Sequence, residues 1–516
     1  MTIANRTARG APLVVAPVVV APLVVAAIAL VLARRVLLPG LGFWDTAEFQ
    51  TVGPLLGTAH PTGYPAYVIL GWLAGVVLQP FGDPAFRMNL LSAVLVAAAA
   101  GLIVVLVRLL TGRTALGVAA GIGFAAAPIA WRLGERADPH ALHVALVALL
   151  LVFLVAWERE DRDSGRDRWL LAASIVYGVS LANHSLTVLL APAIALYLHQ
   201  VDRGIFRRYG LVASCALLIA ASAALLYLEL PLRAGPFRAP MVYGEPNTPA
   251  GFAYIVLGEQ FSGSIVDPLG DLPGKFRALV DLAVAQFGIL APFLPVGFIA
   301  TAITRPRYAL LTGLAAVITC FFAASYVNAD INRYYAGPLL FAWTWLGILG
   351  WVIVEAIVGS DPESATPLRT TALGPLVGAL LLAPTLVALP GRAGSVDASN
   401  DTTARRWVEA VVAAVPPNAV IVSWWSFSTP LWYVQRVEHR RPDITIADDR
   451  TRLDEHLGDI PDVIDAHLGR DPVYVVLRED DAMPGIIARY ALTPVAGTAD
   501  TLLLVTGRTG SAGTAP

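Results

Sequence analysis

Charge is what this chain has least of. Only 14% of its 516 residues are Asp, Glu, Lys or Arg, against roughly 25% in a soluble globular protein, and that excludes an ordinary cytosolic enzyme. Neither sign predominates: 36 Lys and Arg against 38 Asp and Glu leave a formal charge of -2, so there is no basic field to hold nucleic acid. The two cysteines, Cys215 and Cys320, both fall inside apolar runs, where a thiol packs as a small hydrophobe. No disulfide framework and no redox site follow from them. No Gly-rich phosphate loop follows any strand-like segment, which counts against nucleotide binding. The inverted halves of many transporters are not visible either.

What the chain has in quantity is long apolar runs. Hydrophobic residues make up 56% of it, with a mean hydropathy of +0.66. The run from Ala11 to Leu38 is too long for a signal-peptide core and reads as a retained first helix. Further runs near the 17–25 residues needed to span a bilayer lie at Leu90–Leu110, Leu116–Trp131, Ala141–Trp157, Leu170–Leu181 and Leu186–His199. Others lie at Leu211–Leu230, Leu282–Ile303, Leu310–Tyr326, Ala336–Val358 and Leu373–Leu389. About eleven crossings result. The pair around Asn183–His184 is short on both sides, so one long helix or a broken one fits equally.

Sidedness follows from arginine placement, because positive loops stay cytoplasmic. Arg6 and Arg9, Arg108 and Arg113, the run Glu158–Arg168, Arg203 with Arg207 and Arg208, Arg305 and Arg307, and Arg369 fall on one side. Arg34 and Arg35 break the pattern. The alternate loops, Pro39–Asn89, Arg132–His140, Pro231–Asp281, Val327–Tyr335 and everything after Pro390, are then extracytoplasmic. The expected architecture is an α-helical polytopic membrane domain over residues 1–390, a small soluble extracytoplasmic α/β domain over 391–507, and a disordered tail at 508–516. The soluble part reads as helix Ala404–Val415, strand Ala419–Ser423, helix Pro430–Val437, strand Ile444–Ala447, helix Ile460–Leu468, strand Val473–Leu477, helix Ile486–Ala491 and strand Thr501–Thr506, with partly parallel strands.

The first outer loop opens with Gly42-Phe43-Trp44-Asp45-Thr46-Ala47-Glu48-Phe49. It places two carboxylates three residues apart, on one face of a helical turn. A capping box with Asp45 as cap and Glu48 as its partner is the bland alternative. The loop continues through His60-Pro61-Thr62-Gly63-Tyr64-Pro65, an apolar stretch Ala66–Leu78 too short to span, and Arg87-Met88-Asn89-Leu90-Leu91-Ser92-Ala93. So many polar side chains at bilayer depth are expected only where protein or a water-filled cavity covers them.

These three segments resemble the opening signature of a GT-C type glycosyltransferase. Within that class they are most similar to the family of transmembrane protein O-mannosyltransferases of the plexin-modifying kind and its bacterial relatives. Ala130-Trp131-Arg132 through Glu135, Asp138 and His140-Ala141-Leu142 resembles the family's second outer loop, and Gly178–His184 its Gly-Leu-Ser-x-x-Asn-His segment. Leu230-Pro231-Leu232-Arg233-Ala234, Tyr243-Gly244-Glu245-Pro246, Leu431-Trp432-Tyr433 and Arg441-Pro442-Asp443 continue the likeness. The chain departs from the pattern at Thr46-Ala47, where the family has Ser-Gly, at Thr62, where it has Pro, and at Asp138 and His140, where it has Glu and Tyr.

The resemblance implies a GT-C fold and an inverting transferase acting outside the cytoplasm, with a polyprenyl-phosphate-linked sugar donor, plausibly mannose, and a protein or glycolipid acceptor. Asp45 and Glu48 are the expected catalytic pair, with Asp45 as general base. Such a reaction needs a base for the acceptor hydroxyl and positive groups near the departing phosphate. Arg132, Arg136, His184, Arg233, Arg238, Lys275 and Arg333 are the outer-loop candidates, each weighed against a merely solvated charge. Arg233 and His184 match family motifs. With His60, Tyr64, Arg87, Arg132, Asp138 and Arg333 they complete the expected substrate-binding set. His140 and His143 read as packed histidines. No cofactor is required; a divalent cation could be held by Asp45, Glu48 and Asp138, with His60 offering an imidazole, though no spacing is diagnostic. The pairs Trp424-Trp425 and Trp432-Tyr433 suit sugar stacking or core packing. A transporter or flippase of lipid-linked sugars and a noncatalytic scaffold are the rival functions.

Overall fold

The computed structural model of the chain describes residues 15–160, 163–359 and 367–509. The start of the first apolar run, Arg6, Arg9, the side chain of Arg369 and the tail from 510 onward lie outside the described residues.

The apolar runs are helical. The first four helices are Val15–Val36 (α1), Trp44–Leu55 (α2), Pro65–Val77 (α3) and Pro84–Thr111 (α4). Thr114–Ala125 (α5) and Pro128–Glu135 (α6) meet at a 63° bend, where Pro128 has no N–H to continue the ladder. Pro139–Arg159 (α7), Asp163–Leu181 (α8), Ala191–Val201 (α9), Tyr209–Tyr227 (α10) and Glu229–Ala234 (α11) follow. After Pro249–Leu257 (α12), Leu272–Phe287 (α13) and Phe293–Thr304 (α14) bend by 83°. Pro306–Ser325 (α15), Ala336–Gly359 (α16) and Pro367–Val396 (α17) end the membrane part.

Among the described residues, seven helices are long and apolar enough to cross a membrane, or nine if each bent pair is one span. That falls short of the expected eleven for identifiable reasons. Helix α8 opens on a turn carrying Asp163, Arg166, Asp167 and Arg168. The run Leu186–His199 is split into a 3₁₀ turn over Ser185–Leu190 and α9, so the broken form of the Asn183–His184 pair is the one adopted. There the Asn183 side chain donates to the Pro139 carbonyl at 3.0 Å, and His184 Nδ1 accepts from the Leu186 amide at 3.1 Å. Side chains thus take over backbone groups that a continuous helix would use.

Buried residues of α4, α5, α7 and α16 form the main core, with Phe124, Trp157, Phe341 and Trp343 among its largest members. Helix α17 runs to Val396, past the boundary expected at 390, and its last turn packs on Val36 and Trp131.

The C-terminal sheet domain, the part expected to be soluble, consists of Thr403–Ala414 (α18), Val420–Val422 (β1), Trp425–Trp432 (α19), Thr445–Ala447 (β2), Asp449–Asp454 (α20), Ile460–His467 (α21), Val473–Val476 (β3), Ala482–Arg489 (α22), Tyr490–Pro494 (β4) and Leu502–Arg508 (β5). Its sheet has the order β2-β1-β3-β5-β4, parallel across the first three strands and antiparallel across the rest. The partly parallel α/β expectation therefore holds, with local corrections. Helix α19 begins five residues earlier than Pro430, α20 was not anticipated, and the expected helix Ile486–Ala491 is α22 followed by strand β4.

The two parts share a core. Leu41, Ala47 and Ala85 of the membrane part are buried with Trp407, Leu431 and Tyr433 of the soluble domain. The Ala85 amide donates to the Tyr433 hydroxyl at 3.1 Å. The soluble domain is thereby seated directly on the start of α2.

Candidate active site

The loop before α2 is pinned by two buried amides. Gln50 accepts from the Gly42 amide at 2.9 Å and donates to Gly40 O and to Asn89 Oδ1. Asn89 in turn donates to Leu38 O and Gly40 O and accepts from the Ala137 amide at 2.9 Å. Three segments, around residues 38–50, 89 and 137, meet on these two side chains, and their polar atoms are satisfied, as burial demands. The result fixes Asp45 and Asp138 relative to one another.

No capping box forms on α2. Its N-cap is Phe43, with no side-chain cap bond, and the carboxylates point elsewhere. Asp45 accepts from Arg333 at 2.9 Å on one oxygen and from the Trp425 indole N–H at 3.0 Å on the other. Glu48 is fully buried and holds His60 twice, at Oε1 through the backbone amide at 2.7 Å and at Oε2 through Nδ1 at 2.5 Å. His60 Nε2 lies 3.3 Å from the Tyr64 hydroxyl. Asp138 accepts from the amide and Nδ1 of His140 at 2.8 and 2.9 Å and lies 3.6 Å from Arg333. One guanidinium is therefore shared by two carboxylates.

These groups surround a cavity of about 740 Å³ lined by Asp45, His60, Tyr64, Asp138, His184 and Arg333 among others. Burial pushes the Asp45 carboxyl up, but His60 and Arg333 outweigh it and hold the group down at about 2. Burial also works against charge on His60; the Glu48 and Asp45 carboxylates reverse that and hold it above its usual value. Asp138 is kept well below the carboxylate range, burial being overcome by His140 and Arg333. His184 is pushed far down by burial and by the neighbouring imidazoles, so it is a neutral group rather than the positive one expected.

The structure thus brings together Asp45, Glu48, His60, Tyr64, Asp138, His184 and Arg333. Arg87, Arg132 and Arg233 stand outside the cavity. Arg87 donates to the Gly75 and Gly82 carbonyls, Arg233 to those of Leu55 and Leu56, and Arg132 is exposed. Arg238 donates to the Ala234 carbonyl at the end of α11 and Lys275 to a loop carbonyl, whereas Arg136 lines the cavity in an ion pair with Asp330. His140 and His143 are buried, as read. The sequence did not reveal Tyr334, Asp330 or the bond from Trp425 to Asp45, which spans 380 positions.

Asp45, Glu48 and His60 each offer one ligand atom within 4.8 Å of the others. Two carboxylate oxygens and an imidazole suit a divalent ion such as zinc or manganese. Of the four residues named from the sequence, Asp138 is turned away from this group, toward His140 and Arg333.

Residues 45–203 match the family model for the N-terminal domain of protein O-mannosyl-transferase TMEM260. Over 226 residues, 43% of this chain, the sequence is 31% identical to protein O-mannosyl-transferase TMEM260 of Mus musculus, and the match spans 31% of that protein. ArnT of Cupriavidus metallidurans bound to undecaprenyl phosphate has a similar structure, with a TM-score of 0.61 at 14% identity over 94% of this chain and 97% of that one. The apo oligosaccharyltransferase of Archaeoglobus fulgidus gives a TM-score of 0.54 at 15% identity over 88% of this chain and 69% of that one. The GT-C fold therefore extends over nearly the whole chain. The likeness to the O-mannosyltransferase family is borne out in the segment that carries the acid pair.

Proposed function

We propose that this chain is an inverting membrane glycosyltransferase that moves one sugar, mannose by the family likeness, from a polyprenyl-phosphate donor to a hydroxyl of an extracytoplasmic protein or glycolipid. The observation that carries the proposal is the Asp45 carboxylate, held between Arg333 and Trp425 at the wall of a cavity large enough for a sugar phosphate. The acceptor oxygen attacks the anomeric carbon, the bond from that carbon to the phosphate oxygen breaks, and the acceptor proton passes to Asp45. Polyprenyl phosphate leaves with the bonding pair.

Arg333 gives this arrangement its timing. In the free protein it is shared between Asp45 and Asp138. An arriving phosphodiester competes for the same guanidinium, which both stabilises the leaving group and releases Asp45 as a stronger base. Glu48 orients His60, and the three residues Asp45, Glu48 and His60 would hold a divalent ion if one is used. Bound there, it would supply Lewis-acid stabilisation of negative charge.

The donor class is supported by ArnT, which carries undecaprenyl phosphate on a similar fold. Sidedness is supported by the opposite end of the bundle, where the arginine-bearing loops gather. Arg305 donates to Leu110 O, and Arg208 and Arg307 pair with Asp167 and Glu158. The cavity lies at the other end, beneath the soluble domain. A transporter would place its charges on broken helices at the midplane; here they lie on the first turns of the short helix α2, at the start of α7 and in a 3₁₀ turn before α16, beside a folded domain. Mass spectrometry of envelope glycoproteins and glycolipids in a deletion strain tests the function. Loss of a single hexose from a defined acceptor supports it, and an unchanged glycan inventory with altered lipid-linked sugar distribution across the membrane contradicts it.

A further inference from the structure

Trp44, the residue before the proposed base, is costly in two independent ways. Its backbone lies at φ 58°, in the left-handed region that large side chains rarely occupy. Its indole lines the cavity yet remains 48% exposed. The packing of α2 is done by its buried neighbours Thr46, Ala47 and Glu48, and glycine would adopt the same backbone without strain. Neither fold nor helix start calls for a tryptophan here.

The indole does have one partner. Trp424 of the soluble domain meets it edge to face, with centroids 5.3 Å apart at 80°, and is itself anchored by a bond from its Nε1 to Leu477 O at 2.9 Å. Trp424 thus braces the Trp44 indole from the domain side, while Trp44 itself lines the cavity. Glu259, Gln260, Asn328 and Asp330 line the same cavity. An acyl chain seated there would desolvate these polar groups without pairing them. A pyranose ring satisfies both sides: its C–H face covers the indole, and its hydroxyls reach carboxylate and amide oxygens.

We propose that Trp44 is a stacking platform for a pyranose ring bound beside Asp45. This rests on the glycosyltransferase reading of the cavity, and the ring is either the transferred sugar or a sugar of the acceptor.

The test uses the full chain in lipid nanodiscs, as wild type, Trp44→Gly and Trp44→Phe. Saturation-transfer NMR with methyl α-mannopyranoside needs no turnover; the expected result is saturation of ring C–H protons by wild type and Trp44→Phe, and its loss in Trp44→Gly. Because glycine relieves the backbone, Trp44→Gly should unfold at no lower temperature than wild type. Binding of polyprenyl-phosphate-mannose and of bare polyprenyl phosphate then identifies the ring. A tenfold or greater weakening by Trp44→Gly for the mannosyl lipid alone assigns the transferred sugar. Unchanged lipid binding with lost mannoside saturation assigns the acceptor sugar. Equal saturation in wild type and Trp44→Gly, or a lower unfolding temperature for the glycine variant, would overturn the platform. If wild type binds the mannoside through Trp44 but transfers nothing, the reaction fails and the platform stands.

Discussion

Asp45 illustrates how neighbours decide what a carboxylate does. An aspartate at a helix start is usually a cap, and asparagine caps about as well, yet this one spends both oxygens on Arg333 and Trp425. Asp45→Asn should therefore lower turnover by roughly 100-fold or more, the scale of lost acid–base catalysis, while donor affinity changes little. Steady-state kinetics with donor binding measured separately checks this; near-normal turnover in a folded variant would return Asp45 to a structural role. Arg333→Lys keeps the charge but not the fork that reaches both Asp45 and Asp138. It should cost about 10-fold or more in turnover, the size expected for a lost charge-assisted bond, and raise the KM for the donor. An unchanged KM would separate Arg333 from the phosphate. The acid pair, His60, Tyr64 and Asp138, named from polar motifs in the sequence, are brought together by the structure. Arg87, Arg132 and Arg233 sit in segments that match family motifs as well, but a sequence gives the loop and not the direction of the side chain. Trp425 was read for stacking or packing, but its bond to Asp45 could not be, since the partner lies 380 positions away in another domain.

At the scale of elements, periodicity and apolar length located the helices, and breaks followed proline and capping side chains. Where expectation and structure part, charge or geometry explains it. The loaded first turn of α8 lowers its apolar character, and Tyr490 ends α22 by entering a strand against β5. The short helix α20 offers a separate test of local electrostatics. Asp448 caps it by accepting from the Thr451 amide at 2.7 Å, while its other oxygen is buried without a partner. Burial pushes this carboxyl up to about 6. A raised carboxyl binds its proton more tightly in the folded state, so the folded state holds more protons between the ordinary value and about 6. Stability is then lost as pH rises through that window. Asp448→Asn keeps the cap and removes the charge, and should stabilise the soluble domain by roughly 1–3 kcal/mol at pH 7 with little effect near pH 4. Thermal unfolding at the two pH values measures it; equal effects at both would contradict the assignment.

For the whole molecule, the account requires one end of the bundle to face outward. Cysteines introduced at Ser164 and Ser395 should differ in intact cells, with only the second labelled by an impermeant thiol reagent. Labelling of Ser164→Cys alone would invert the topology. The proposed lipid-linked donor is tested at the same scale, because the cavity lies between the ends of the helices and the C-terminal domain. The most direct measurement supplies purified protein in nanodiscs with envelope acceptors and either polyprenyl-phosphate-mannose or a nucleotide-linked mannose, each labelled in the sugar. The account predicts that label leaves the lipid for the acceptor with wild type and not with Asp45→Asn, and that the nucleotide sugar is inert. Turnover of the nucleotide sugar without a lipid intermediate would contradict it.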